Sequence, residues 1–381
     1  MEAMLEQAPV QCPVQFRVAE TASGHRIGFA QLNVEKALNA LTLQMIRLLD
    51  TQLSAWDQDD SVACVVLHGA GEKAFCAGAD IRALYRAVRE HPGVAENPQA
   101  LAFFSEEYRL DYRIHTYSKP ILVWGGGIVM GGGLGLFVGA SHRIVTETSR
   151  IAMPEISIGL FPDVGGSWFL HRILGNLGLF VSLTGTSLNG RDALFTGLAD
   201  YLVPSAERQN VFERLSTAPW QSAANNRGVL SALLNEVSGA QVTAPNSNLE
   251  RHAATIEALC TRATLKQLLD AIIGYAGEDV WLQRGAATLK AGSPTTAALI
   301  WELKKRAQES CLADVLRLEL IVALQCCAHP DFAEGVRALL IDKDNAPRWT
   351  PSALADVTPN WVAGHFVPPA WPQGVSPLAD L

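Results

Sequence analysis

Two acids set in an apolar run punctuated by glycine and proline are the residues of this chain best suited to chemistry. They are Glu155 and Asp163, in "IAMPEISIGLFPDVGGSWFL" at 151–170. A carboxylate withdrawn from water holds its proton more tightly, and near neutral pH it then serves as a general acid or base. The same two residues suit a second role. Pro154-Glu155 reads as the first turn of a helix, where proline fits and the helix dipole favours an acid, and Asp163 is placed to cap a helix carrying "VGGSWFLHRIL". With Gly159 and Pro162 between them, the two acids cannot share one continuous helical face. A loop that brings both to one cleft is the more natural arrangement.

Two further segments could present backbone groups to a ligand. In "WGGGIVMGGGLGLFVGA" at 124–140 a strand ends in glycines and a second triple glycine opens an apolar helix. Unpaired amides at such a helix start suit a developing oxyanion, and close helix–strand packing accounts for the glycines equally well. Neither GxGxxG nor GxxxxGK[ST] is present, so a nucleotide cradle has little support. In "EKAFCAGADIRALY" at 72–85 the small turn Ala77-Gly78-Ala79 follows a strand. Cys76 with His68 as base would make a nucleophile, but a small buried thiol beside a turn is the ordinary role of such a residue. GxSxG and HExxH are both missing, which removes serine-hydrolase and metallo-hydrolase readings, and no metal site is expected.

The elements that must position these residues follow from periodicity. Strands are expected at "RIGFAQLN", "ACVVLHG", "PILVWGGG", "HRIVTE" and "ADYLV", and helices near 42–57, 80–89, 100–116, from the second triple glycine, and over about 164–196. The alternation predicts an α/β fold. After Pro204 the strand signal fades and helix-length segments follow, one opened by Ser293 as N-cap and Pro294 at the first helical position. The expected organisation is a core over 12–205 and a helical C-terminal region over 206–381.

Composition narrows the partners. With 381 residues, 49% hydrophobic, the chain can bury a large interior, and its net charge of −8 argues against nucleic acid or an anionic membrane as main partner. Seven cysteines without CxxC spacing suggest reduced thiols in the cytoplasm. The N-terminal "MEAMLEQAPVQC" has neither the basic start and apolar core of a secretory signal nor the arginines of a transit peptide. No transmembrane helix is expected.

Taken in order, "KALNAL" at 36–41, "KAFCAGADIR" at 73–82, "FFSEEYRL" at 103–110, "GIVMGGGLGL" at 127–136 and "AMPEISIGLFPDVGGSWFL" at 152–170 resemble the crotonase (enoyl-CoA hydratase/isomerase) superfamily. "SPT" at 293–295, "EGVRALLIDKD" at 334–344 and "PRW" at 347–349 resemble its 3-hydroxyisobutyryl-CoA hydrolase branch. The resemblance implies a spiral of ββα turns and an acyl-CoA substrate, with coenzyme A part of the substrate and no separate cofactor. It implies an oxyanion hole from the amides of Ala77 and Gly132, and contact of the loop Ala79, Asp80 and Ile81 with the CoA moiety. It makes Glu155 and Asp163 the catalytic pair and Glu107 a further acid near the acyl group. The hydratases' first glutamate falls on Gly135 here, so a two-glutamate hydratase mechanism is disfavoured. The expected reaction is hydrolysis of a short β-hydroxyacyl-CoA; the alternatives are an enoyl-CoA hydratase or isomerase and a non-catalytic acyl-CoA-binding protein. Superfamily cores commonly self-associate through helices after the spiral, while a long helical C-terminal half could cover that surface instead, so a homo-oligomer is one of two open expectations.

Overall fold

The computed structural model describes residues 12–238 and 242–381; most of the N-terminal stretch read for targeting signals lies outside them. The chain opens with an antiparallel hairpin, β1 (Val14–Glu20) against β2 (Arg26–Leu32). After helix α1 (Leu43–Gln58), capped by the Thr42 side chain, the chain repeats one unit. A longer strand is followed within a few residues by a three-residue strand and then by a helix or tight turn. The pairs are β3 (Val62–Gly69) with β4 (Ala74–Cys76), β5 (Ile121–Gly125) with β6 (Ile128–Met130), and β7 (His142–Val145) with β8 (Arg150–Ala152). The first pair leads to α2 (Ile81–Glu90) and α3 (Pro98–His115), the second to α4 (Gly132–Gly139), and the third to a 3-10 turn, Glu155–Ile158.

Long strands join one sheet and short strands another. The large sheet runs β1-β2-β3-β5-β7-β9, with β9 at Tyr201–Leu202, and the small one β4-β6-β8. From β2 onward every pairing is parallel, with Val65 opposite Ile121 and Leu122 opposite His142. Parallel strands buried on both faces read as unbroken apolar runs, as "VACVV" does in β3. On one face Ile27, Phe29, Val66 and Trp124 pack under Val211, Leu215, Leu230 and Leu234, from helices Arg208–Thr217 and Ala223–Ser238. On the other lies the main core, continuous from Val14 through Met45, Phe104 and Phe161 to Leu320, Phe332 and Leu378.

The α/β core and the helical second half agree with the sequence reading; among the described residues no strand follows β9. Helices expected at 42–57, 80–89 and 100–116 fall at Leu43–Gln58, Ile81–Glu90 and Pro98–His115. The helices expected over 164–196 are four short pieces, divided where Gly165, Gly175 and Gly185 turn the chain through left-handed conformations. No helix among the described residues is long and apolar enough to cross a membrane.

Candidate active site

The three short strands run parallel and deliver three turns to one place. Beyond β4 comes Ala77-Gly78-Ala79, beyond β6 Gly131-Gly132, beyond β8 Pro154-Glu155. Two glycines permit the crowding. Gly78 has φ +93° and a Cβ there would lie 3.0 Å from the Met130 carbonyl; Gly131 has φ +50° and a Cβ there would lie 3.1 Å from Glu155 Oε1. The turns wall a cleft of about 670 Å³ that also takes in Asp163 and, from α3, Glu107. The residues that the family resemblance assigned to the site, Ala77, Ala79, Asp80, Ile81, Glu107, Gly132, Glu155 and Asp163, line this one cleft. Exposed Lys36 and Arg82 stand at its open edge, and Leu339 and Leu340 reach it from the C-terminal half.

The backbone corrects one assignment. The Ala77 amide donates to the Leu38 carbonyl at 3.0 Å and is not free for an oxyanion. Two residues on, the Ala79 amide has no acceptor among the described residues, nor has the Gly132 amide in the first turn of α4, where Gly131 offers no capping side chain. Asp80 caps α2, its Oδ1 accepting from the Ala83 amide at 3.2 Å, and the Ile81 amide donates to the Ala79 carbonyl. Within this loop Asp80 and Ile81 shape the wall, and the amide left over belongs to Ala79.

Carboxyl groups concentrate at the closed end. Glu155 is 6% exposed, Asp163 5% and Glu107 1%, and neither Glu155 Oε2 nor Glu107 Oε1 has a hydrogen-bond partner. Burial, then the neighbouring Asp163, push the Glu155 carboxyl well above the usual carboxylate range, and burial with Asp163 and Glu155 does the same to Glu107. Asp163 is pushed up to about 6 by burial, against the pull of the Tyr108 hydroxyl, which donates to its Oδ2 at 2.7 Å. Asp111, one turn after Glu107 on α3, is buried with both oxygens unpartnered. A fifth acid, Glu319, is raised to about 8 by burial and Asp163. Among the described residues none of the five forms an ion pair with a basic group that would oppose this upward shift.

Sequence reasoning did not pick out Tyr108, Asp111 or Glu319. A signal was there for the first two: 104, 107, 108 and 111 fall on one helical face, and two acids on a face with Phe104 are out of place unless the face lines something polar.

Gly135 has a structural reason. A Cβ at this position would lie 2.7 Å from Val164 Cβ and 2.9 Å and 3.0 Å from the two oxygens of Asp111, so no side chain can leave α4 here. Cys76 and His68 do not form a nucleophile–base pair. Cys76 is buried beneath Gly133 with its thiol pushed up to about 12 by burial, while His68, lowered to about 4 by burial, packs on Phe212 over the outer face of the large sheet.

Residues 27–366 match the sequence profile described as enoyl-CoA hydratase/isomerase, nearly the whole spiral and most of the helical half. The chain belongs to this family. Among its relatives, the mitochondrial 3-hydroxyisobutyryl-CoA hydrolase of Danio rerio is 40% identical over 341 residues, 90% of this chain and 87% of the relative. The enzyme of the same name from Homo sapiens is 37% identical over 340 residues, 89% of this chain and 86% of its own. A solved structure named as a carnitinyl-CoA dehydratase, from Mycobacterium thermoresistibile, superposes with a TM-score of 0.81 at 33% identity, covering 93% of this chain and 96% of the other. The crotonase-like ββα spiral with helical C-terminal half is therefore the architecture of this chain.

Proposed function

We propose that this chain hydrolyses a short β-hydroxyacyl-CoA thioester, 3-hydroxyisobutyryl-CoA, to 3-hydroxyisobutyrate and free CoA. The observation that carries this reading is the pairing of buried Glu155 and Asp163 in one cleft with α4 closed at Gly135, where a second hydratase glutamate would have to emerge. The names of the hydrolase relatives support it.

The thioester carbonyl oxygen is assigned to the free amides of Ala79 and Gly132, each donor worth about 3–4 kcal/mol as charge develops. Glu155, its Oε2 unpaired beside this position, either attacks the acyl carbon or deprotonates the water that does. The new C–O bond replaces the C–S bond; the acyl carbon gains oxygen from water and the sulfur leaves as thiol. Asp163, held by Tyr108, accepts the hydrogen bond of the substrate hydroxyl, and Glu107 closes the wall beside it. Lys36 and Arg82 at the open edge meet the CoA phosphates. CoA is part of the substrate, and no separate cofactor or metal takes part in this scheme. We place the enzyme in the cytoplasm, on the strength of cysteines that are all free.

Thiol release from 3-hydroxyisobutyryl-CoA, with crotonyl-CoA and acetyl-CoA alongside, tests the proposal. Release confined to the hydroxylated thioester and abolished by Glu155→Gln is expected. Release surviving in that variant would remove Glu155 from the chemistry, and crotonyl-CoA losing its double bond without thiol release would make the protein a hydratase.

A further inference from the structure

Glu319 belongs to the helix Leu312–Ala328, 154 residues along the chain from Gly165, and it is fully buried. Its Oε2 accepts the Gly165 amide at 2.7 Å and its Oε1 the Ser167 amide at 2.9 Å. These amides open the short helix α5 (Gly166–Phe169), which has no side-chain cap of its own. Immediately before it the backbone turns in a way L-residues avoid: Val164 has φ +52° and Gly165 φ +85°. A β-branched residue in the left-handed region is strained, and it persists only where the surroundings fix it. Inside the turn, the Gly166 amide donates to the Asp163 carbonyl at 2.6 Å. The outcome of this conformation is twofold: Asp163 Oδ2 meets the Tyr108 hydroxyl, and Val164 fills the space over Gly135. A segment of the C-terminal half thus holds the backbone of the loop that bears Asp163, without itself lining the cleft.

From this geometry we infer that Glu319 is a positioning residue, a remote clamp whose carboxyl group keeps the strained Asp163–Val164–Gly165 turn in the one conformation that aims Asp163 into the cleft. Its effect on catalysis rests on the hydrolase reading above; its effect on the turn does not. Glutamine in its place is isosteric but accepts with one oxygen only and points an NH2 group at the other amide. The turn then loses one of its two anchors and relaxes toward unstrained conformations.

Two measurements on the full chain test this. The first is amide hydrogen exchange of wild type and Glu319→Gln: exchange at Gly165 and Ser167 should accelerate by at least about tenfold while the helix Leu312–Ala328 keeps its protection. Unchanged exchange at both amides overturns the clamp. The second is a double-mutant cycle with Asp163→Asn, read as kcat/KM for 3-hydroxyisobutyryl-CoA against isobutyryl-CoA, which lacks the hydroxyl. Glu319→Gln alone should cut the preference for the hydroxylated thioester by about tenfold, and in the Asp163→Asn background it should cost less than about threefold more. Losses that multiply independently, or that fall equally on both thioesters, would make Glu319 a merely structural residue and overturn the inference. If Glu319→Gln does not fold, Glu319→Asp, which withdraws the two accepting oxygens by one methylene, is read in the same way. A wild type that releases thiol from neither thioester defeats the hydrolase reading and leaves the exchange measurement to decide the clamp.

Discussion

Replacing Gly335 by alanine should disable catalysis through a contact that involves no catalytic group. Gly335 lies in the helix Pro330–Val336, which packs on the 3-10 turn Glu155–Ile158. A Cβ at 335 would stand 2.5 Å from the Ile158 Cα, 2.6 Å from its carbonyl carbon and 2.9 Å from its oxygen. All three are backbone atoms, so no side chain can rotate aside. Ordinary contact begins at 3.4 Å, and the turn must therefore move by about 0.9 Å or the helix must lift by as much. Two effects oppose each other. In an unpacked helix, alanine gains about 1 kcal/mol over glycine. Overpacking a close contact costs about 1–3 kcal/mol, and misplacing a reacting group by about 1 Å costs roughly a hundredfold in rate. The clash wins on both counts. Steady-state thiol release and thermal melting of Gly335→Ala should show kcat/KM down by about a hundredfold and a slightly lowered Tm. Activity within about threefold of wild type, with Tm unchanged or raised, would mean that the helix does not brace the Glu155 turn and that the distance argument is wrong.

Two further outcomes follow from the acids. Tyr108→Phe removes the hydroxyl that stabilises ionised Asp163, a charge-assisted bond worth about 1.5–3 kcal/mol; Asp163 then titrates higher, and kcat/KM should fall more at pH 6 than at pH 8, so an equal fall at both would contradict the assignment. Asp163 sits at about 6 in the fold against an ordinary aspartate value of 3.8, mainly through burial, so its contribution to stability is full below about pH 4 and is lost as pH rises through about 6, roughly 3 kcal/mol in all. Asp163→Asn should accordingly melt a few degrees above wild type at pH 8, with the gap closing near pH 5; a variant that melts below wild type at pH 8 would refute the cost assigned to this buried charge.

Legibility in the sequence tracked how local the cause was. Glu155 and Asp163 stand out because glycine and proline on either side leave them no ordinary helical surface, and the structure brings both to the cleft. Ala77 misled because the choice of free amide in a turn depends on what lies opposite: Leu38, from a different segment, satisfies Ala77 and leaves Ala79 open. The strands β4, β6 and β8 are three residues each, too short for alternation to register, although they aim every turn at the site. Asp111 and Glu319 take their meaning from partners far along the chain, namely Gly135 and the Gly165 and Ser167 amides. Around Glu319 the apolar stretch "LELIVAL" likewise sets an acid where something polar must wait in the core.

A cleft whose closed end gathers acids and whose open edge carries Lys36 and Arg82 treats the two sides of a hydrolysis unequally. The acyl group enters as an uncharged thioester, which a crowd of buried carboxyls tolerates better than an anion. In the proposed hydrolysis the cut group would be an anion facing ionised Asp163, and two unit charges about 4 Å apart repel by about 4 kcal/mol at an effective dielectric of about 20. Cations stand outward from it, where Lys36 and Arg82 edge the cleft. Charge placement thus gives turnover a direction, expelling the acid it makes along the route by which the substrate arrived.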